Sequence, residues 1–254
     1  MTDGKGQGMA TLIVTGGSRG IGAAVARLGA RRGYAVVVNY TADEAAAQAT
    51  VRAIREAGGT AEAIRGDVAD EADVRALFDA AERLGPLSAL VNSAGIIGPY
   101  GRLDAADAAG VRRLMDINVV GTILCCQEAV RRLSTRHGGP GGAIVNLSSI
   151  AADLGAANEY VAYAASKGAV DSLTIGLARE VAREGIRVNA VRPGLIDTDI
   201  QVIPGVGNRL DTLAPASPMG RAGTVDEVAE LVLWLLSDAA SYVTGALMNV
   251  SGGR

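Results

Sequence analysis

Apolar residues run along this chain in short continuous blocks, separated by longer stretches in which they recur at helical spacing. Thr11-Leu-Ile-Val-Thr15 and Ala35-Val-Val-Val-Asn39 are the clearest blocks. Runs of this length with no polar alternation fit strands covered on both faces rather than strands with one wet face. The pattern predicts strands at 11–15, 35–39, 61–65, 89–92, 143–147, 187–191 and 247–250. It predicts helices near 20–32, 43–57, 70–84, 105–135, 159–184 and 225–237. Two helix starts read as capping boxes, Thr41-Ala-Asp-Glu44 and Thr224-Val-Asp-Glu227. Strict alternation of strand and helix implies right-handed crossovers and a parallel sheet. The expected fold is one α/β domain over 9–254: a doubly wound parallel sheet of about seven strands, with helices on both faces. Residues 1–8 are polar, lack an apolar signal region, and are expected to be disordered.

One stretch breaks the rhythm. Residues 195–223 contain Pro204, Pro215 and Pro218 with Gly205, Gly207, Gly220 and Gly223. A connection this long in a compact domain points to a functional lid. It follows the sixth strand and so hangs over the carboxyl edge of the sheet, where such folds bind ligands. Residues 198–215 are expected to be mobile without substrate and to close over it.

Composition narrows the reading. Aromatics are only 3%, with one Phe and one Trp, so the core must be built from Ala, Val, Leu and Ile. A net charge of −3 argues against a nucleic-acid surface. Arg131-Arg132 is too short a basic spot to reverse this and reads as a solvated helix face. No apolar run approaches the length of a membrane span. Adjacent Cys125 and Cys126 are poor disulfide partners and read as buried, inert thiols, which fits a reducing cytoplasm. His137 is the only histidine and sits in a glycine-rich loop, which weakens a Ser-His-Asp hydrolase reading. No Cys, His or carboxylate cluster suggests a metal site.

The candidate chemistry lies in two places. The first block ends in Thr15-Gly-Gly-Ser-Arg-Gly-Ile-Gly22, with glycines at 16, 20 and 22 and a helical pattern directly after. Such a turn lets backbone N–H groups approach a phosphate at a helix N-terminus. The second is Tyr163-Ala-Ala-Ser-Lys167, whose spacing of four puts phenol and ammonium on one helix face. A nearby ammonium favours the phenolate and tunes Tyr163 as a proton donor and acceptor. Ser149 ends a buried-looking strand 14 residues earlier, so both reach the carboxyl edge.

Together with Asp67-Val68, Asn92-Ser-Ala-Gly95, Asn118, Asn146-Leu-Ser-Ser149, Arg192-Pro-Gly194 and Thr198, these motifs resemble the short-chain dehydrogenase/reductase family, over nearly the whole chain. The resemblance implies a Rossmann-like enzyme with Tyr163 as acid/base. Ser149 would orient the substrate oxygen, and Lys167 would bind the nicotinamide ribose and tune Tyr163. Asn118 would hold a water in a proton relay. It implies a cofactor site made of Gly16, Ser18, Arg19, Gly20, Ile21, Gly22, Asn39, Tyr40, Asp67, Val68, Asn92, Ala94, Gly95, Tyr163, Lys167, Pro193, Gly194, Ile196 and Thr198. Within it, Asp67 would meet the adenine amino group. Asn92 and Gly95 would line the channel, and Pro193, Gly194 and Thr198 would cradle the nicotinamide end.

Three positions have a competing residue nearby. Ser148 competes with Ser149, and the family pattern selects the second. The spacing from Ser149 to Tyr163 is one residue longer than in many relatives, within 158–163. Tyr160 is thereby a decoy, but position 164 is Ala, not Lys. The strand ending Val38-Asn39-Tyr40 offers no acid for a ribose 2′-hydroxyl, while Arg19 is available to a 2′-phosphate, so NADP is expected over NAD. Asp43 and Glu44 weigh the other way; the first helical turn and the capping box account for them. Expected partners are a small carbonyl or alcohol substrate, no nucleic acid, no membrane, and further copies of the chain in a homotetramer. The tetramer rests on the apolar stretch 114–130 and on Ala246, Leu247 and Val250 of the last strand. The alternatives are a 3-oxoacyl-thioester reductase and a non-catalytic nucleotide-binding regulator. The substrate pocket is set by 195–223 and by 150–154, which is mainly apolar with Asp153 beside it.

Overall fold

Strand β1 (Thr11–Thr15) is buried along its whole length, which fixes its place at the middle of the molecule. A computed structural model describes residues 9–203 and 207–254; the expected disordered segment 1–8 and residues 204–206 of the expected lid lie outside the described residues. β1 pairs in parallel with β2 (Ala35–Tyr40) and β4 (Leu87–Asn92). The sheet continues through β3 (Thr60–Arg65) on one side. On the other it runs through β5 (Gly142–Leu147), β6 (Ile186–Pro193) and the last strand β9 (Leu247–Val250). The order β3-β2-β1-β4-β5-β6-β9 reverses direction between β1 and β4, which opens a crevice at their carboxyl ends.

Alternation along the strands splits the core in two. Leu12 and Val14 face a layer with residues of α1 (Gly20–Arg31), α2 (Glu44–Glu56) and α9 (Val225–Leu236). Ile13 faces the opposite layer, with residues of α3 (Glu71–Leu84), α5 (Thr122–Leu133) and α7 (Val161–Val181). Cys125 and Cys126 lie in this second layer as buried free thiols, and burial pushes both up, Cys126 to about 12.

The structure differs from the sequence pattern at three helices. The helix expected over 105–135 is two helices, α4 (Ala108–Met115) and α5, joined by a π-helical turn at Asp116–Gly121. Backbone there closes on Val68: a Cβ on Gly121 would lie 2.7 Å from the Val68 side chain. A widened turn of this kind commonly marks a functional position. The helix expected over 159–184 ends at Val181 and finishes as a 3₁₀ turn. The Thr41–Glu44 box does not form. Asp43 caps α2 by accepting from Ala46 N at 3.0 Å, while Thr41 donates across to Gly66 O. The Thr224–Glu227 box forms as expected and starts α9.

Residues 195–223 carry more structure than a loop. They hold a 3₁₀ turn at Asp199–Gln201, a short hairpin of β7 (Val202–Ile203) and β8 (Gly207–Asn208), and α8 (Leu210–Leu213). Leu195, Leu210 and Ala214 bury one another, and a bridge from Ile196 to Gly223 closes the segment at its base. Among the described residues, no helix is long and apolar enough to cross a membrane.

Phe78 is the only phenylalanine and is fully buried on α3. Phe78→Ala is expected to cost about 3–5 kcal/mol and to lower the Tm by about 10 °C, read by thermal unfolding. A loss below about 1 kcal/mol would show that this layer collapses to fill the gap.

Candidate active site

The glycine turn is built by exclusion. Gly16 has φ +60, and a Cβ there would lie 2.8 Å from Ala94 Cα. A Cβ on Gly22 would lie 2.3 Å from the Gly16 carbonyl oxygen. The turn therefore closes against itself and against the loop after β4, leaving backbone N–H groups free at the start of α1. No acidic residue sits in the first turn of α1, so nothing there repels an anion. Thr15 Oγ1 accepts from Ser93 N at 3.0 Å and Ala94 N at 3.1 Å, pinning the β4 loop beside the turn. Thr50 holds the Ser18 carbonyl. Ile21 is half-buried against the core, and Arg19 is exposed and does not cap α1.

At the end of β2 the expected contacts change. Asn39 turns inward, with Nδ2 donating to Gly66 O at 2.9 Å and Oδ1 accepting from Gly16 N at 3.3 Å. Tyr40 packs into the core. These two brace the turn rather than present polar groups to a ligand. Asp67 does reach the crevice, but Arg113 of α4 already donates to it at 2.5 Å. Burial alone would raise Asp67; the Ala69 N–H and the Arg113 guanidinium outweigh it and hold the carboxyl below its ordinary value. Val68 is buried against Gly121. Asn92 also turns away from the channel: its amide donates to Asn146 Oδ1 at 2.9 Å and Cys126 Sγ at 3.4 Å.

The four expected catalytic residues converge. Asn118 is fully buried in the π-helical turn and clamps Ile96, donating to its carbonyl and accepting from its N–H, both at 2.9 Å. Its remaining donor goes to Ser166 Oγ at 3.0 Å, so both amide donors are taken within the protein. A Cβ on Gly95 would lie 3.2 Å from Asn118 Oδ1 and 3.6 Å from Lys167 Nζ, which places these three together. Ser149 Oγ accepts from Ala151 N at 3.1 Å and lies close enough to the Tyr163 phenol to pull it down, whereas Ser148 donates to the Lys167 carbonyl. Of the two serines, Ser149 is the one beside the phenol. Tyr160 caps no bond of α7 and packs edge-on to Tyr100, away from the lysine.

One expectation fails here. Lys167 does not depress the Tyr163 phenol. Its Nζ donates to Leu147 O at 2.7 Å and stands 5.6 Å from the Tyr163 ring centroid. Burial pushes the phenol up; Ser149 and the Arg209 charge pull it down without overcoming burial. Lys167, only 6% exposed, is pushed down by burial to about 8, with Asp171 one turn along α7 working against the fall.

At the end of β6, Gly194 is forced by Ser251, whose Cα would lie 2.7 Å from an added Cβ, and Pro193 O accepts from Ile150 N. Thr198 approaches Gly20 to 3.6 Å of where its Cβ would stand, so the two ends of the crevice meet. Ile196 is buried and its carbonyl is taken by Thr198 and Gln201. Sequence reasoning missed Ser166, Arg113 and the pair of Arg209 with Glu159. Spacing gives no signal for partners so far apart in the chain. Asp153, expected beside the pocket, is held by Arg192 at 2.8 Å.

The glycine cradle, the free start of α1 and a buried ammonium at the same edge fit a dinucleotide. A family model described as enoyl-(acyl carrier protein) reductase matches residues 16–254. An uncharacterized oxidoreductase of Escherichia coli (strain K12) is 49% identical over 97% of this chain and 100% of its own length. Cis-4-hydroxycyclohexanecarboxylate dehydrogenase of Sinomonas cyclohexanicum is 44% identical over 95% of this chain and 94% of its own. A short-chain dehydrogenase from Burkholderia cenocepacia J2315, solved in complex with NADP, superposes with a TM-score of 0.88 at 37% identity, covering 97% of this chain and 98% of that one.

The buried ammonium gives a pH test. Between about 8 and the ordinary lysine value the unfolded chain holds the Lys167 proton and the folded chain does not, so this group adds stability as pH rises through that window. Lys167→Met is expected to be more stable than wild type at pH 7, with the gap closing as pH climbs past about 8. The raised thiols are common to both proteins and cancel in the difference. Denaturant midpoints at a series of pH values check this; a gap independent of pH would contradict it.

Proposed function

The chain belongs to the short-chain dehydrogenase/reductase family of enzymes acting on CH–OH and C=O groups, and we propose that it is an NADP-dependent oxidoreductase interconverting a carbonyl and a secondary alcohol, with Tyr163 as the acid/base. One juxtaposition carries the reading: Ser149 beside Tyr163, with Lys167 and Asn118 behind them, at the same sheet edge as the glycine cradle. When bound, the nicotinamide exchanges a hydride with the carbinol carbon. Ser149 orients the substrate oxygen. In oxidation Tyr163 removes the hydroxyl proton as the C–H hydride leaves; in reduction it returns a proton to the forming alkoxide. Lys167 binds the nicotinamide ribose hydroxyls, for which its ammonium has further donors beyond the one given to Leu147.

The preference for NADP is supported by what surrounds the ribose position. Asn39 and Tyr40 are turned inward, and Asp43 is committed to capping α2. Glu44 has lost its capping-box explanation; it stands exposed in the first turn of α2, beyond the strand end where a ribose acid sits. Arg19 is the exposed cation at the turn. The complexed Burkholderia relative adds to this. A 3-oxoacyl-thioester reductase is the second reading; the matching family model is likewise described as a reductase of a substrate on acyl carrier protein.

The homotetramer is proposed on a narrower basis than the sequence offered. Leu114, Cys125, Cys126 and Ala129 are buried in the chain's own core and Ile117 and Leu124 pack against it, which leaves Val119, Val120 and Ile123 for another copy. The two buried free thiols support a cytoplasmic location.

Tyr163→Phe is expected to keep NADPH binding and lose roughly 10²–10⁴ in kcat, with cis-4-hydroxycyclohexanecarboxylate and activated diketones as first probes. Wild-type turnover in Tyr163→Phe, in a chemistry-limited assay, would sink the mechanism. Arg19→Ala is expected to weaken NADPH by about 1–3 kcal/mol and to leave NADH nearly unchanged. A wild-type kcat/KM ratio favouring NADH would assign the ribose to an acid near position 43.

A further inference from the structure

The turn between α6 (Ala151–Leu154) and α7 holds a conformation that side chains resist. Gly155, Ala156 and Asn158 have φ of 72, 47 and 62. Left-handed Ala in particular carries a strain of about 1–2 kcal/mol. This is the stretch adjoining the extra residue between Ser149 and Tyr163. What the turn delivers is Glu159 and Tyr160, set at the head of the helix that bears Tyr163 and Lys167.

Both are gripped from across the mouth. Arg209, which immediately precedes α8, forms an ion pair with Glu159, and its guanidinium carbon lies 5.3 Å from the Tyr160 ring centroid. Its Nη1 donates to Gln201 Oε1 at 3.2 Å and its backbone N–H to Gln201 O at 3.0 Å. Gln201 is itself buried and donates to Ile196 O, so the chain of bonds runs back to the base of the segment. Tyr160 packs edge-on against Tyr100 at 5.3 Å, and Gly101 N donates to Glu159 O at 2.8 Å. Arg209 is 17% exposed, well below a surface cation.

We propose that Arg209 is a positioning residue that seats residues 207–214 on the head of α7 through Glu159 and Tyr160, and in that seat holds its positive charge one turn of α7 before Tyr163. This rests on the reading of Tyr163 as the acid/base. A planar guanidinium meets both demands, lying on the Tyr160 ring while its edge holds a carboxylate; a lysine ammonium meets only the charge. The charged and polar groups acting on the Tyr163 phenol are Ser149 from the strand end after β5 and Arg209, which lies over the Tyr160 ring three residues earlier at the head of α7, while Lys167 Nζ stands 5.6 Å from the Tyr163 ring centroid. Lys167 is anchored to Leu147 O, so Arg209 is the cation whose pull on the phenol depends on the seat. Seating the segment and readying Tyr163 to accept a proton are then one event, and coupling runs both ways.

The test needs no substrate. Hydrogen exchange of 207–214 is measured in wild type, Arg209→Gln, Arg209→Lys and Glu159→Gln, with NADPH binding as the check that each is folded. Titration of the Tyr163 ring by ¹³C NMR, its signal assigned by its loss in Tyr163→Phe, is read in the same proteins. Arg209→Gln and Glu159→Gln are expected to exchange about tenfold faster over 207–214, the loss of one charged bond. Arg209→Gln is expected to move the Tyr163 titration to higher pH, and Arg209→Lys to restore most of that shift with only part of the protection. Wild-type protection in both Arg209→Gln and Glu159→Gln would overturn the proposal. So would faster exchange with an unmoved Tyr163 titration, which would make Arg209 a structural brace alone. Failure of the acid/base reading itself shows elsewhere, as full turnover in Tyr163→Phe.

Discussion

A Cβ on Gly22 would stand 2.3 Å from the Gly16 carbonyl, and one on Gly16 would stand 2.8 Å from Ala94. Those two distances govern the molecule. The turn after β1 closes only because side chains are missing from it, and its closure brings the start of α1 down onto the loop after β4. Thr15 Oγ1 then takes the Ser93 and Ala94 N–H groups, and Asn39 takes the Gly16 N–H, so the turn is braced from both neighbouring strands. Every later residue of the site is placed relative to this edge: Gly95 against Asn118 and Lys167, and Thr198 against Gly20. Adding one methyl group at Gly16 or Gly22 would therefore displace backbone, not a side chain.

A second constraint is the cost of burying charge. Lys167 has a single opposing carboxylate near it, Asp171, and that carboxylate is shared. Arg192 donates to Asp171 Oδ2 from Nε at 3.1 Å and Nη2 at 2.6 Å, and to Asp153 from Nη1. Asp171 Oδ1 is buried without a hydrogen-bond partner among the described residues. The Asp171 charge is thus half-diverted to Arg192, which explains why Lys167 stays low despite it. The same three residues tie α6 behind Ser149, α7 behind Tyr163 and the strand end at Pro193, so the charge balance and the geometry of the site are held by one cluster.

The sheet was legible because its central strands are continuous apolar runs, and burial on both faces leaves no other reading for Ile13 or Val37. The proposed catalytic set was legible because Ser149, Tyr163 and Lys167 have fixed spacings on adjoining elements. What stayed hidden depends on partners distant in sequence or on competition between neighbours. The π-helical turn at Asn118 is made by Ile96 and Val68, which no local pattern around 118 announces. Thr41 lost its capping role because Gly66 O, from another loop, bid for its hydroxyl, while Asp43 was free to cap. Asn39 and Asn92 sit at strand ends, where an amide serves a ligand and a buried network equally well; the structure spends both inward. Arg209 and Glu159 are fifty residues apart, and each alone reads as a solvated charge.

The two titrating groups at the centre are biased the same way. Burial disfavours the phenolate of Tyr163 and the ammonium of Lys167 alike, since both are charged forms in a site with little water. A phenol held protonated is already the acid that carbonyl reduction requires. Alcohol oxidation requires the opposite form, and a buried anion needs a positive charge brought close. Lys167, held by Leu147 O, stands 5.6 Å from the ring centroid. On the proposed acid/base role of Tyr163, the buried phenol is the form that reduction uses, and oxidation needs a cation beside it. Whatever approaches Tyr163 with positive charge, from the seated segment or from the crevice, moves that balance toward the base.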